Sequence, residues 1–320
     1  MSRQPIRVLS LFSGIGAFEE AAEHVSRRGK APIEVVAYAE IDPSAMAIYG
    51  YHHPDAVNIG DVRAFAKLRK APFKYDMLVA GFPCQDLSQQ GGTSACATSK
   101  RATGLKGVRS GLFWDALRIL RRDKPRYFLF ENVIPKNAED RETITEELGV
   151  EPMEIDAQRF VPQRRKRLFW FNWKMPALPR GAGPRLVDAL DARPARSLDH
   201  SATAIAYMGR DAGNGRTRWQ RGYHGDTAEH VSPTITKGIE KTLPSNVLID
   251  RRFRPPRVRR FSAEEVERLF GFPEGHTEMG LVEDGKGNLV AKPTPFTRRV
   301  GLLGNSIVVP VLEHILKGLP

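Results

Sequence analysis

The sequence predicts an α/β fold with a second, smaller domain, and three observations carry that prediction. Short apolar runs of strand character alternate with stretches of helical periodicity, the order of a sheet covered by helices. The early strands lead directly into residues with chemical capacity: a glycine turn at Phe12–Gly16, then Glu40, Asp61, Cys84 and Glu131. Strand ends of this kind are where α/β proteins place their sites. Beyond Phe171 the pattern gives way to Pro176, Pro179, Gly181, Gly183 and Pro184, a linker composition, and then to an arginine-rich span.

The first strand is Ile6–Leu11, followed at once by Phe12-Ser13-Gly14-Ile15-Gly16 and a helix running to about Arg28. A Gly-x-Gly turn lets a ligand approach the backbone. The third glycine of the dinucleotide fingerprint is missing, because Glu19 occupies its place, and this disfavours a pyrophosphate. A second strand, Glu34–Ala39, ends at Glu40-Ile41-Asp42. A carboxylate about 20 residues beyond the turn can accept both hydroxyls of a ribose. Helix Pro43–Tyr51 precedes Val57–Val62, where Asp61 is placed to cap a helix or to accept from an adenine amino group. Together these outline an adenosine site without phosphates, which suits S-adenosylmethionine better than a nicotinamide dinucleotide.

The apolar run Tyr75–Ala80 delivers Gly81-Phe82-Pro83-Cys84-Gln85-Asp86-Leu87-Ser88. A cysteine behind a proline at the carboxyl end of a strand is where an α/β enzyme would put a nucleophile, against the common alternative of an inert packing cysteine. Gln89–Ser110 is a long polar loop with Gly91, Gly92, Gly104 and Gly107, the composition of a lid. Helical spacing resumes at Leu112, with residues 112, 113, 116, 117 and 120 on one face. Strand Tyr127–Phe130 then presents Glu131-Asn132-Val133. A carboxylate at the mouth of an apolar strand is a candidate general acid because burial raises its pKa, with a helix cap or buried ion pair as the alternative. Later, Leu168–Phe171 is a strand, Gly280–Lys292 a charged hairpin or loop, and Val308–Leu316 a helix expected to dock on the first domain.

The 320 residues carry a formal charge of +12, favouring a polyanionic partner. From Leu178 to Arg260 there are 14 Arg and 2 Lys against 8 acidic residues, a local excess of +8. Arginine's planar fork suits phosphates and guanine edges. No apolar run approaches 18 residues, and Met1–Pro5 lacks a signal-peptide layout, so a cytoplasmic protein with no membrane partner is expected. The two cysteines, Cys84 and Cys96, are then expected as free thiols, and no metal site is expected.

Taken in order, these stretches resemble the C5-cytosine DNA methyltransferases. Phe12–Glu19 is similar to that family's first motif, Gly81–Ser88 to its nucleophile motif and Glu131-Asn132-Val133 to its acid motif. Gln163-Arg164-Arg165-Lys166-Arg167 resembles its Gln-x-Arg-x-Arg motif, Arg259–Pro273 the motif after the recognition region, and Gly304–Pro310 the last one. Pro233-Thr234-Ile235-Thr236 resembles the tetrapeptide that closes the recognition region. Asp86-Leu87-Ser88, Ile155-Asp156-Ala157 and Glu267–Pro273 look like the branch with the animal de novo methyltransferases. The loop after Ser88 is longer than usual, and Ile41 stands where the family often has an aromatic.

The resemblance implies a Rossmann-like, S-adenosylmethionine-dependent methyltransferase domain at residues 1–177 plus 300–320, and a target-recognition domain at 178–299. It implies Cys84, Glu131 and Arg165 as catalytic residues, with Arg165 on the base carbonyl or a cysteine-side charge. Cofactor contacts are implied for Phe12, Gly14, Ile15, Gly16, Glu40, Ile41, Asp61, Val62, Pro83, Leu112, Asn305 and Ser306. Double-stranded DNA is the implied partner, met by Gln90 in the gap of a flipped cytosine and by Arg109, Arg167 and Thr234. A tRNA methyltransferase of the same fold is a rival, but its usual Cys-Phe-Thr tripeptide is absent. A non-catalytic DNA-binding regulator should have lost Cys84, Glu131 or the glycine turn, and all are present.

Overall fold

The computed structural model describes residues 4–29, 32–83, 87, 104–107, 111–210, 225–240 and 247–320. The first half builds strands β1 (Ile6–Leu11), β2 (Ile33–Ala39), β3 (Val57–Asn58), β4 (Met77–Gly81), β5 (Tyr127–Asn132), β6 (Met153–Asp156) and β7 (Lys166–Phe171). Between them lie helices α1 (Ala17–Arg27), α2 (Pro43–His52), α3 (Val62–Ala66), α4 (Leu112–Asp123) and α5 (Ala138–Leu148). The strands form one seven-stranded sheet in the order β3-β2-β1-β4-β5-β7-β6. Pairing is parallel from β3 through β5, and β7 runs antiparallel to both its neighbours.

Strand alternation divides the core into two layers. Val8, Met77, Val79, Leu129 and Phe169 face one buried cluster with α1 and α2. Their chain neighbours Leu9, Leu78, Ala80, Phe128, Phe130, Leu168 and Trp170 face the other, with α3, α4 and α5. A strand covered on both faces has no polar side to spare, which is why these runs read as continuously apolar. Local signals set the helix ends: Asp42 accepts from the amides of Ser44 and Ala45 ahead of Pro43 in α2.

The second half contributes α6 (Ala202–Met208), strands β8 (Gly225–Asp226), β9 (Leu248–Asp250) and β10 (Arg257–Arg259), and helix α7 (Ala263–Phe270). There follow a hairpin of β11 (Met279–Glu283) and β12 (Leu289–Pro293), then α8 (Phe296–Asn305) and α9 (Val309–Leu316). Helix α7 opens with a reciprocal capping box between Ser262 and Glu265. Leu186, Ile235, Leu248, Phe261, Leu269 and Phe272 share the buried cluster of α1 and α9. The expected 178–299 unit is therefore packed into the core of the first.

Phe296–Leu316 is apolar and long enough to cross a membrane by length and composition alone, contrary to the expectation of no such run. It is broken at Ser306 into α8 and α9 and is largely buried in the core. Helix α5 and strand β6 had no expectation attached. Only Ile144 and Leu148 of α5 and Ile155 of β6 are buried, too few to mark a periodicity.

Candidate active site

Four neighbouring parallel strands end along one edge of the sheet, and their carboxyl ends supply the candidate residues. After β1 the chain turns through three left-handed residues, Phe12, Gly14 and Gly16, with φ of 58°, 58° and 88°. The Ser13 hydroxyl donates to the Ser10 carbonyl at 3.0 Å, and the Gly16 amide donates to the Ser13 carbonyl at 3.1 Å. A Cβ at Gly14 would meet open space, whereas its positive φ favours glycine. Glu40, at the end of β2, accepts from the Gly14 amide at 2.9 Å and from the amides of Ile41 and Asp42 at 2.7 and 2.8 Å. The carboxylate thus ties two strand ends together, with lone-pair capacity left over. Beside it, Ile41 is 62% exposed, a large apolar side chain held out toward solvent.

The other expected cofactor residues fall into distinct groups. Ile15 and Val62 have side chains buried in the core. Asp61 caps α3, accepting from the Arg63 amide at 2.9 Å, and its two oxygens are gripped by the Arg63 guanidinium. That arginine holds the carboxyl below the usual carboxylate range. Of its two expected roles, the structure shows the cap. Leu112 begins α4, Asn305 is exposed at the end of α8, and the Ser306 carbonyl is turned onto Arg165.

Cys84 lies outside the described residues, as do Gln90, Cys96 and Arg109, but the chain on either side of Cys84 is anchored. On one side, Asn132 Nδ2 donates to the Phe82 carbonyl at 2.9 Å, a buried bond just ahead of Pro83. On the other, Leu87 is buried and its carbonyl accepts from the Lys136 amide at 3.0 Å. Both anchors belong to the segment containing Glu131, which pairs in register with Gly81. Glu131 is 9% exposed, and burial pushes its carboxyl above the usual range, opposed by Arg167 and then Arg165. Arg167 Nε lies 3.2 Å from Glu131 Oε1.

The two arginines differ from expectation. Arg165 is buried, donating through Nη1 to the Ile235 carbonyl at 2.8 Å and through Nη2 to the carbonyls of Gly304 and Ser306 at 3.1 and 2.7 Å. Its guanidinium also sits 4.9 Å from the Phe270 ring centroid. A fork that donates to three backbone carbonyls ties the segment before β7 to the end of α8 and to the tetrapeptide at 233–236. Arg167, expected as a DNA or loop anchor, is the arginine beside the acid. Glu131 pairs with Phe169 across β5 and β7, so Arg167, two residues along the same strand, shares its face and reaches it, whereas Arg165 precedes the strand.

Gln163 completes the joint. It is fully buried, donating to the Leu269 carbonyl at 2.9 Å and accepting from the Ile235 amide at 3.0 Å. The Thr234 hydroxyl donates to the Arg164 carbonyl at 2.6 Å. A Cβ on Gly304 would fall 2.3 Å from the Thr236 carbonyl carbon, so this close approach requires glycine. The anchoring roles of Asn132 and Gln163 had no sequence expectation. The available signal was a polar residue at an otherwise apolar strand end, which once buried must find a partner.

Much of the arginine-rich span is paired internally. Arg185, Arg196, Arg251, Arg252, Arg257 and Arg259 each lie within ion-pair distance of a nearby carboxylate. Arg259 is fully buried between Asp250 and Glu265, at 3.0 and 2.8 Å. Among the described residues, Arg252, Arg257 and Arg259 belong to the more buried of these pairs, so part of the charge excess serves the fold.

Comparison with known proteins adds to this geometry. A family model described as C-5 cytosine-specific DNA methylase matches residues 6–177. The type II methyltransferase M.NgoBV of Neisseria gonorrhoeae is 31% identical over 184 residues, covering 52% of this chain and 41% of that protein. The orphan methyltransferase M.Rho11sI of Bacillus phage rho11s is 39% identical over 130 residues, 40% of this chain and 23% of that one. The matches thus span less than half the length of these curated relatives. The crystal structure of S. pombe Dnmt2 methyltransferase superposes with a TM-score of 0.67 over 97% of both chains at 22% identity, a likeness of fold.

Proposed function

The chain belongs to the C-5 cytosine-specific DNA methylase family, and from that premise we propose that it methylates C5 of a cytosine flipped out of double-stranded DNA, using S-adenosylmethionine. The observation that carries this reading is the acid beside the nucleophile segment. Glu131 is buried, raised in pKa and level with Gly81, three residues before Cys84. The named relatives are a type II and an orphan methyltransferase, which supports methyl transfer. A tie to the branch with the animal de novo enzymes rests on the short motifs at Asp86–Ser88, Ile155–Ala157 and Glu267–Pro273.

The residues at the glycine turn fit the cofactor. Open space over Gly14, a half-buried Glu40 with lone pairs remaining, and exposed Ile41 offer backbone, carboxylate and apolar surface for an amino acid, a ribose and an adenine. Bound there, S-adenosylmethionine supplies an electrophilic methyl group. This chain's own residues then do the following. The Cys84 thiolate adds to C6 of the cytosine, while Glu131, whose carboxyl burial pushes above its usual range, supports a proton at N3. That makes C5 enamine-like. Arg167 steadies Glu131 and is the donor nearest to it for the base carbonyl. Loss of the C5 proton and departure of Cys84 restore the ring. The base must leave the stack for any of this, at a cost of a few kcal/mol offset by contacts in the pocket.

Recognition is assigned to residues 178–299, and the site of action to DNA in the cytoplasm. The test is incubation with S-adenosylmethionine and either unmethylated genomic DNA or unmodified tRNA, then base-resolution mapping of 5-methylcytosine, with Cys84→Ser as the control. Methylated DNA from the wild type alone supports the reading. Methylated tRNA in its place would move the activity to the RNA branch, and no product on either would leave a DNA-binding regulator.

A further inference from the structure

The segment that follows the recognition region returns to the glycine turn through one histidine. His276 is 2% exposed, and its Nε2–H donates to the Ile15 carbonyl at 2.8 Å. Its ring is held between two others: His52 stacks on it at 4.1 Å and an interplanar angle of 2°, and Phe272 at 4.4 Å and 30°. His52 Nε2–H also donates to the His276 carbonyl at 2.7 Å. Burial keeps the imidazole neutral, with a pKa lowered to about 4. A neutral ring donating to a carbonyl from Nε2 carries its one proton there.

The backbone that presents His276 is built as firmly as the ring. Glu267 is fully buried, accepting from the Gly275 amide at 2.7 Å, the Thr277 amide at 2.8 Å and Arg299 at 3.1 Å, and also from the Thr277 hydroxyl. Two residues of one turn, on either side of His276, therefore hang from a single carboxylate. Gly280 brings the following strand so close to α2 that a Cβ there would lie 3.0 Å from the Ala47 methyl.

What this holds is a peptide plane. The Ile15 carbonyl goes to His276, and the Gly16 amide of the same peptide goes to the Ser13 carbonyl. A trans peptide is rigid, so anchoring its two ends fixes its orientation. That plane lies between the two left-handed glycines of the turn, and it cannot rotate without breaking one bond or the other. We infer that His276 is a positioning residue of the cofactor site, holding the Ile15–Gly16 peptide in its binding orientation and making cofactor affinity depend on the docking of residues 272–281 against α1 and α2. The inference rests on the proposed reading of the glycine turn as an S-adenosylmethionine site.

The test compares two amides at position 276. Glutamine Nε2 lies as many bonds from Cα as histidine Nε2 and can reach the Ile15 carbonyl, whereas asparagine Nδ2 is one bond short. Calorimetric titration of the full chain with S-adenosylmethionine should give His276→Gln within about twofold of the wild-type Kd and His276→Asn weakened by about tenfold, the scale of one hydrogen bond. With saturating cofactor, kcat should be alike in all three proteins. Equal Kd values for the two variants, whether both normal or both weakened, would overturn the inference and leave a packing role only. A wild type that binds no S-adenosylmethionine would overturn the cofactor reading as well, which separates the two failures.

Discussion

Glu19 gives the sharpest quantitative prediction. It stands where a dinucleotide fold would have its third glycine, yet it is 4% exposed beneath the turn. The Tyr49 hydroxyl donates to its Oε1 at 3.1 Å. Burial pushes its pKa from 4.5 up to about 7, against hydrogen bonds from Ser10 and Tyr49. The folded chain therefore keeps this proton through a range in which the unfolded chain has lost it. Where the native state binds more protons, stability falls as pH rises. The fall begins near the unfolded value of 4.5 and levels off above the folded value of about 7. At about 1.4 kcal/mol per pH unit, it amounts to about 3 kcal/mol, of which about 2 kcal/mol lies between pH 5.5 and pH 8. Glu19→Gln keeps the shape and the neutral hydrogen bonds while removing the titration. In urea melts the variant should gain on the wild type by about 2 kcal/mol more at pH 8 than at pH 5.5. An offset between the two proteins that is flat across this range would refute the buried proton.

Three further outcomes are expected. Arg167→Ala removes the positive charge 3.2 Å from Glu131, and because burial persists, the acid's pKa should climb further; single-turnover rates should drop by about a hundredfold, and an unchanged rate would take Arg167 out of the site. Asn132→Ala leaves the Phe82 carbonyl without its buried donor, which should cost about 1–3 kcal/mol in urea melts and slow adduct formation on DNA containing 5-fluorocytosine; a variant matching wild type in both would show that the nucleophile segment is held elsewhere. Arg259→Met removes the buried cation between Asp250 and Glu265, leaving Asp250 with Arg252 and Glu265 with backbone amides alone, so a loss of about 3–5 kcal/mol is expected by denaturant titration, whereas a neutral result would show that the remaining donors suffice.

The sequence by itself determined which candidate residues end the strands of the first half. Short apolar runs bounded by turn residues fit strands buried on both faces, and the residues that end successive parallel strands lie together at one edge. For that reason the glycine turn, Glu40, Pro83 and Glu131 could be placed from their positions in the chain alone. Asp61 was left between a cap and a ligand contact, because an aspartate before a short helix serves either need, and the structure shows the cap. The tertiary structure decided what depends on partners far apart in sequence. Arg165 and Arg167 are equivalent as text, but one meets the carbonyls of residues 235, 304 and 306 and the other a carboxylate at 131. The arginine excess after residue 178 likewise looked like a phosphate-binding surface until Asp199, Asp226, Asp250 and Glu265 were seen to take up much of it. His276 carried no sequence signal at all, since its acceptor is a backbone carbonyl 261 residues away. Periodicity reports which face of an element is buried, but a polar side chain's partner is set by the packing of distant segments, and only folding brings those together.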